Sequence, residues 1–95
     1  MTENSMEQQA EHERRHPVRH VTFLGGYWHM QVKKLRMPLG PQALVVDESQ
    51  PATDPFERPV HTYELVTINT GEQTWPVYIC QGYAPTRLEV LAARQ

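Results

Sequence analysis

The chain predicts an α+β, mainly β fold: two antiparallel β-hairpins forming a small curved sheet or partly closed barrel, with a short C-terminal helix and a flexible polar N-terminal arm. Three observations carry that expectation. Two runs rich in β-branched and aromatic residues flank Gly25-Gly26, a dipeptide that accepts the positive φ angles of a two-residue hairpin loop. A second pair of such runs, Val60 to Ile68 and Thr74 to Gln81, flanks Asn69-Thr70-Gly71-Glu72. The segment Thr86 to Arg94 then turns to helical spacing, with Leu88, Leu91 and Ala92 at i, i+3 and i+4.

In the first hairpin a Gly25-Gly26 loop sets Leu24 against Tyr27, Phe23 against Trp28 and Val21 against Met30. One face is then Val21, Phe23, Trp28, Met30 and Val32, a core; the other is His20, Thr22, His29 and Gln31, a polar surface. Arg36-Met-Pro-Leu-Gly-Pro is a proline-punctuated turn, and Ala43 to Val46 a brief third strand. Asp47 to Pro59 holds three prolines, five charges and Phe56, and is expected as a long exposed loop.

In the second hairpin a type I turn with a bulge at Gly71 opposes Leu65 to Trp75, Tyr63 to Val77 and His61 to Ile79. Tyr63, Leu65, Trp75, Val77 and Ile79 then share one face. Val60, Val66, Ile68, Tyr78 and Cys80 fall on the other, which the helix stripe covers. Pro76 has no N–H for a ladder, so its strand is expected at an edge there.

Residues 1–16 are polar, with no apolar stripe to pack, and are expected as a flexible arm; residues 17–95 form a single small β-rich domain. Nine Lys and Arg stand against eleven Asp and Glu, a formal charge of −2. From Pro17 onward there are seven of each, so no global field points to nucleic acid or an acidic membrane. The single cysteine excludes an internal disulfide and fits a reducing compartment. No apolar run approaches the roughly 20 residues of a bilayer span, so a cytoplasmic address and no membrane partner are expected.

No catalytic constellation emerges. Cys80 sits mid-strand, and the expected register turns His61 to the opposite face, so no thiol–imidazole dyad forms. The carboxylates Asp47-Glu48 and Asp54/Glu57 lie in the proline-rich loop, where nothing would drive their pKa values apart. Gly25-Gly26 joins two strands rather than a strand and a helix, so it is not a phosphate loop. No cofactor is expected.

Function therefore points to a non-enzymatic protein–protein interaction or assembly module, an accessory, inhibitor or structural protein of the kind phage and mobile elements encode. It would bind another protein or itself through Phe56, Tyr78 and Tyr83. A first alternative is a nucleic-acid-binding module using the basic end Arg19, Lys33, Lys34 and Arg36. A second is a metal- or small-ligand-binding domain, because His20 and His29 share a face diagonally across the first hairpin; a zinc ion needs at least one ligand more.

Overall fold

The computed structural model describes residues 17–49 and 57–94; the N-terminal arm expected over 1–16 lies outside them. Five strands and one helix follow in the order β1 (Val18–Leu24), β2 (Val32–Arg36), β3 (Gln42–Val46), β4 (Val60–Asn69), β5 (Thr74–Cys80) and α1 (Arg87–Ala92). The strands make a single curled sheet in the order β2-β1-β5-β4-β3, a half-barrel with the helix on one side. Neighbours pair antiparallel except β1 and β5, which run parallel at the centre over Thr22↔Val77, Phe23↔Tyr78 and Leu24↔Ile79. Local hairpins thus flank one non-local seam.

Both hairpins form, each in a register three residues from the expected one. In the first, Val21 faces Lys33 rather than Met30. The loop is not two residues but the whole of Gly25 to Gln31, closed by Met30 N–H to Phe23 C=O (2.7 Å) and Phe23 N–H to Gln31 C=O (2.9 Å). Gly25, Gly26 and Met30 all take positive φ, at 81°, 65° and 63°. The wider loop lets Trp28 swing edge-on against Phe23, with ring centroids 5.1 Å apart, so the expected contact survives outside the ladder. Because side chains alternate along a strand, an odd slip exchanges faces. Met30 and Val32, expected in the core, are exposed, whereas Leu35 packs inward; Thr22, expected at the polar surface, keeps its face but is buried there, paired with Val77.

In the second hairpin Ile68 faces Trp75, Val66 faces Val77 and Tyr63 faces Cys80. Asn69 and Thr70 are the cause. The Asn69 carboxamide accepts the Gly71 N–H at 2.8 Å, and the Thr70 N–H donates to the Gln73 carbonyl at 3.0 Å. These bonds confine the turn to Thr70–Gln73 and carry the ladder up to Asn69↔Thr74. Tyr63 and Leu65 are consequently parted from Trp75, Val77 and Ile79, and join Tyr78 and Cys80 instead.

The sheet is therefore packed on both sides. On one, Val21, Phe23, Val45, Tyr63 and Tyr78 form the main cluster, with Phe23 at the middle: its ring stacks on Tyr78 and meets Tyr63 edge-on, at 5.0 Å each. On the other, Trp75, Val77 and Ala93 pack together with Ile68, Ile79 and Val90. The helix covers this side, not the expected one with Tyr78 and Cys80, because the slip brings Trp75, Val77 and Ile79 onto the face of Ile68. It does so through Val90 and its C-cap Ala93, while Leu88 and Leu91 of the expected stripe are exposed. A capping box fixes that rotation. The Thr86 hydroxyl accepts the Glu89 N–H at 3.2 Å, and the Glu89 carboxylate accepts the Thr86 N–H at 3.2 Å. Pro76 lies in an interior strand, one residue before the β1–β5 ladder begins, so β5 lacks its β1 partner at that point.

Candidate interaction surface

The two outer strands of the sheet differ in kind. β2 reads Val-Lys-Lys-Leu-Arg, three cations in five residues. β3 reads Gln-Ala-Leu-Val-Val and carries no charge. A cationic edge repels another cationic edge; an uncharged one does not. Ala43 and Val45 turn to the core side of β3, leaving Leu44 and Val46 on the other side. Leu44 is 70% exposed and Val46 42%, and Val46 pairs directly with Val60, itself 55% exposed. Among the described residues no strand pairs with the outer side of β3. This apolar strip beside a bare strand edge escaped the sequence reading. Its signal was the alternation in Ala43-Leu-Val-Val46, but which strand stands at the end of a sheet depends on non-local pairing.

The expected partner-binding residues fall elsewhere. Phe56 lies outside the described residues. Tyr78 is buried, and its hydroxyl donates to the Gly40 carbonyl at 2.6 Å, pinning the β2–β3 turn; burial raises its pKa. Tyr83 is half-buried against Gly25, its ring 5.3 Å from that of His29, and its hydroxyl donates to Glu89. That hydrogen bond raises the Tyr83 pKa and lowers that of Glu89.

The basic residues divide between faces. Arg19 and Lys33 turn to the core side of the β1–β2 ribbon, and Lys34 and Arg36 to the other. Lys33 is engaged by the Trp28 ring, 4.3 Å from its centroid. They form no single patch.

The histidine pair is likewise parted. His20 faces Lys34 in the ladder. His29 sits in the loop, where its Nδ1 accepts the Gly25 N–H at 2.7 Å and its Nε2 stands 3.5 Å from Glu89 Oε2. It ties the loop to the helix. Among the described residues no group of three or more His, Cys, Asp or Glu side chains is placed to hold a metal ion.

The register also corrects the relation of Cys80 to His61, which share a face. Cys80 Sγ and His61 Nδ1 each lie 3.0 Å from where a Cβ on Gly26 would stand, and Tyr63 Oη 2.7 Å from it. His61 Nε2 stands 3.7 Å from Asp47 Oδ2. Asp47 has a lowered pKa, chiefly through hydrogen bonds from Ser49 and less through His61. No hydrogen bond joins thiol to imidazole, and the Tyr63 hydroxyl is occupied by Gly25 and Trp28. The cluster closes the space beneath the loop.

Among the described residues no helix is long and apolar enough to cross a membrane. No family model, curated protein or solved structure matches the chain.

Proposed function

We propose that this chain is a non-enzymatic assembly module that joins a second copy of itself through β3. The observation that carries the reading is the contrast between the sheet edges: β3 is uncharged and flanked by exposed Leu44, Val46 and Val60, while β2 is lined with cations. An edge strand presents unpaired N–H and C=O groups, and natural sheets normally guard it with charge, proline or a bulge. β3 has none of these guards. Antiparallel pairing of β3 with its symmetry mate gives a closed two-fold dimer, in which each strand offers the same groups to the other. Leu44 and Val46 of both copies then extend one apolar ribbon, continued by Val60 on each side.

Sedimentation velocity across a concentration series tests this. The wild-type chain is expected to shift from monomer to dimer as concentration rises. Leu44→Lys, a change at an exposed side chain, should keep the circular dichroism spectrum and remain monomeric. A wild-type chain monomeric at every concentration overturns the reading, as does a dimer that Leu44→Lys leaves intact.

A further inference from the structure

We propose that the cleft between the diverging ends of β1 and β5 binds a small apolar carboxylate, with Arg19 receiving the carboxylate. The cleft has a definite cause. Pro76 offers no N–H, and the parallel ladder begins only at Thr22↔Val77. Below that pair β1 and β5 separate, and a hollow of about 330 Å³ opens between Arg19 and Pro76; a second, of about 470 Å³, adjoins it beside β1, and the two share Arg19 and Met37 as walls. Both fall within the roughly 300–1,000 Å³ typical of small-molecule sites.

The walls differ along the cleft. The smaller hollow is lined mainly by carbon, from Met37, Leu39, Leu65, Trp75 and Pro76, with the Thr67 and Thr74 side chains at its margin. The larger is bounded by Val18, Arg19, His20 and Met37. Arg19 stands where the two meet. It is half-buried, and among the described residues its guanidinium has neither a carboxylate nor a hydrogen-bond acceptor.

A guanidinium partly removed from water gains most from a planar anion it can grip with two parallel N–H donors, and a carboxylate matches that fork. Among the described residues the walls beside it supply apolar surface and no negative charge. The complementary ligand is thus one carboxylate on a short hydrocarbon or aromatic body, the body seated against Leu39 and Leu65.

The test is a titration of the ¹⁵N-labelled full chain, followed by amide chemical shifts, with octanoate, octan-1-ol and inorganic phosphate as probes. Octanoate is expected to move the amides of Arg19, Leu39, Leu65 and Thr67 saturably. Octan-1-ol, with the same tail, should bind about tenfold more weakly, because it lacks the charge-assisted bonds. Phosphate, with no tail, should leave these amides in place. In Arg19→Gln the preference for octanoate over octanol should vanish. Absent or scattered shifts with octanoate, equal binding of octanol, or phosphate binding as tightly as octanoate overturns the proposal. A preference that persists in folded Arg19→Gln does the same. Should that variant not fold, the three-probe comparison on the wild-type chain decides alone.

Discussion

The Tyr63 hydroxyl donates to the Gly25 carbonyl at 2.6 Å across 38 residues of sequence, and the same oxygen accepts the Trp28 N–H at 3.0 Å. One side chain in β4 thereby holds the start and the middle of the first hairpin's loop. Burial raises the Tyr63 pKa, and the residue is fully buried in the main cluster. Tyr63→Phe keeps the ring against Phe23 and removes only the oxygen. It leaves a carbonyl and an amide without their partner, a loss of about 1–3 kcal/mol. Chemical denaturation should show that loss, and hydrogen exchange should quicken at the Trp28 amide before it does in β4.

Gly26 and Gly71 separate two costs of replacing a left-handed glycine. Both have positive φ, 65° and 90°. A Cβ on Gly71 meets nothing within 4 Å, whereas one on Gly26 stands 2.7 Å from Tyr63 Oη and 3.0 Å from Cys80 Sγ. Gly71→Ala should therefore lose only the backbone term, about 1 kcal/mol. Gly26→Ala adds a clash of the kind that costs about 1–3 kcal/mol more, since the nearby tyrosine oxygen is fixed by two hydrogen bonds. Paired urea unfolding curves check the difference; equal losses would show that the space beneath the loop yields.

These same residues mark what the sequence could reveal. The segments of the second hairpin, the brief third strand and the terminal helix were legible because each rests on local composition and on turn-forming residues close at hand. Registers were not. Gly25-Gly26 has the chemistry of a two-residue turn, yet Tyr63 and His29 capture the backbone around it and stretch the loop to Gln31. Tyr63 comes from β4, so no local pattern could foretell it. The parallel β1–β5 seam is likewise non-local, and it decides that β3 is an outer strand of the sheet and that Arg19 borders a cleft. The candidate surfaces followed from strand order, while the residues singled out in advance, Tyr78 and Tyr83, are spent on holding turns and the helix.

The helix offers a direct check on which stripe is buried. Ala93 is 0% exposed, against Trp75 and Val77, whereas Leu88 is 79% exposed. Ala93→Leu forces added methylenes into a filled contact, and should destabilise by about 1–3 kcal/mol. Leu88→Lys should stay within about 0.5 kcal/mol of the wild type, as surface changes do. Thermal melts of the two variants decide it; the reverse order would return the helix to the Leu88, Leu91 and Ala92 face expected from spacing alone.

The Tyr83–Glu89 hydrogen bond contributes to stability at both ends of the pH range. Glu89 has a lowered pKa, first because Tyr83 donates to it, and then through Thr86 and the nearby His29. A carboxyl depressed on folding favours the folded state above its unfolded pKa, and the contribution fades as pH falls through the folded value. Tyr83 has a raised pKa, first through the same hydrogen bond. A phenol raised on folding favours the folded state below its unfolded pKa, and that share is lost as pH climbs through the folded value. Unfolding midpoints measured from acid to alkaline pH should thus fall at both flanks. Tyr83→Phe should reduce the alkaline flank to the share of Tyr63 and Tyr78, both raised by burial, and shrink the acid one to the shares of Asp47 and of Glu89 held by Thr86 and His29. Glu89→Gln should reduce the acid flank to the share of Asp47 and weaken the capping box at every pH. Flanks unchanged in Tyr83→Phe would place the pH sensitivity elsewhere, with Asp47, whose pKa is lowered chiefly by Ser49, as the group to replace next on the acid side.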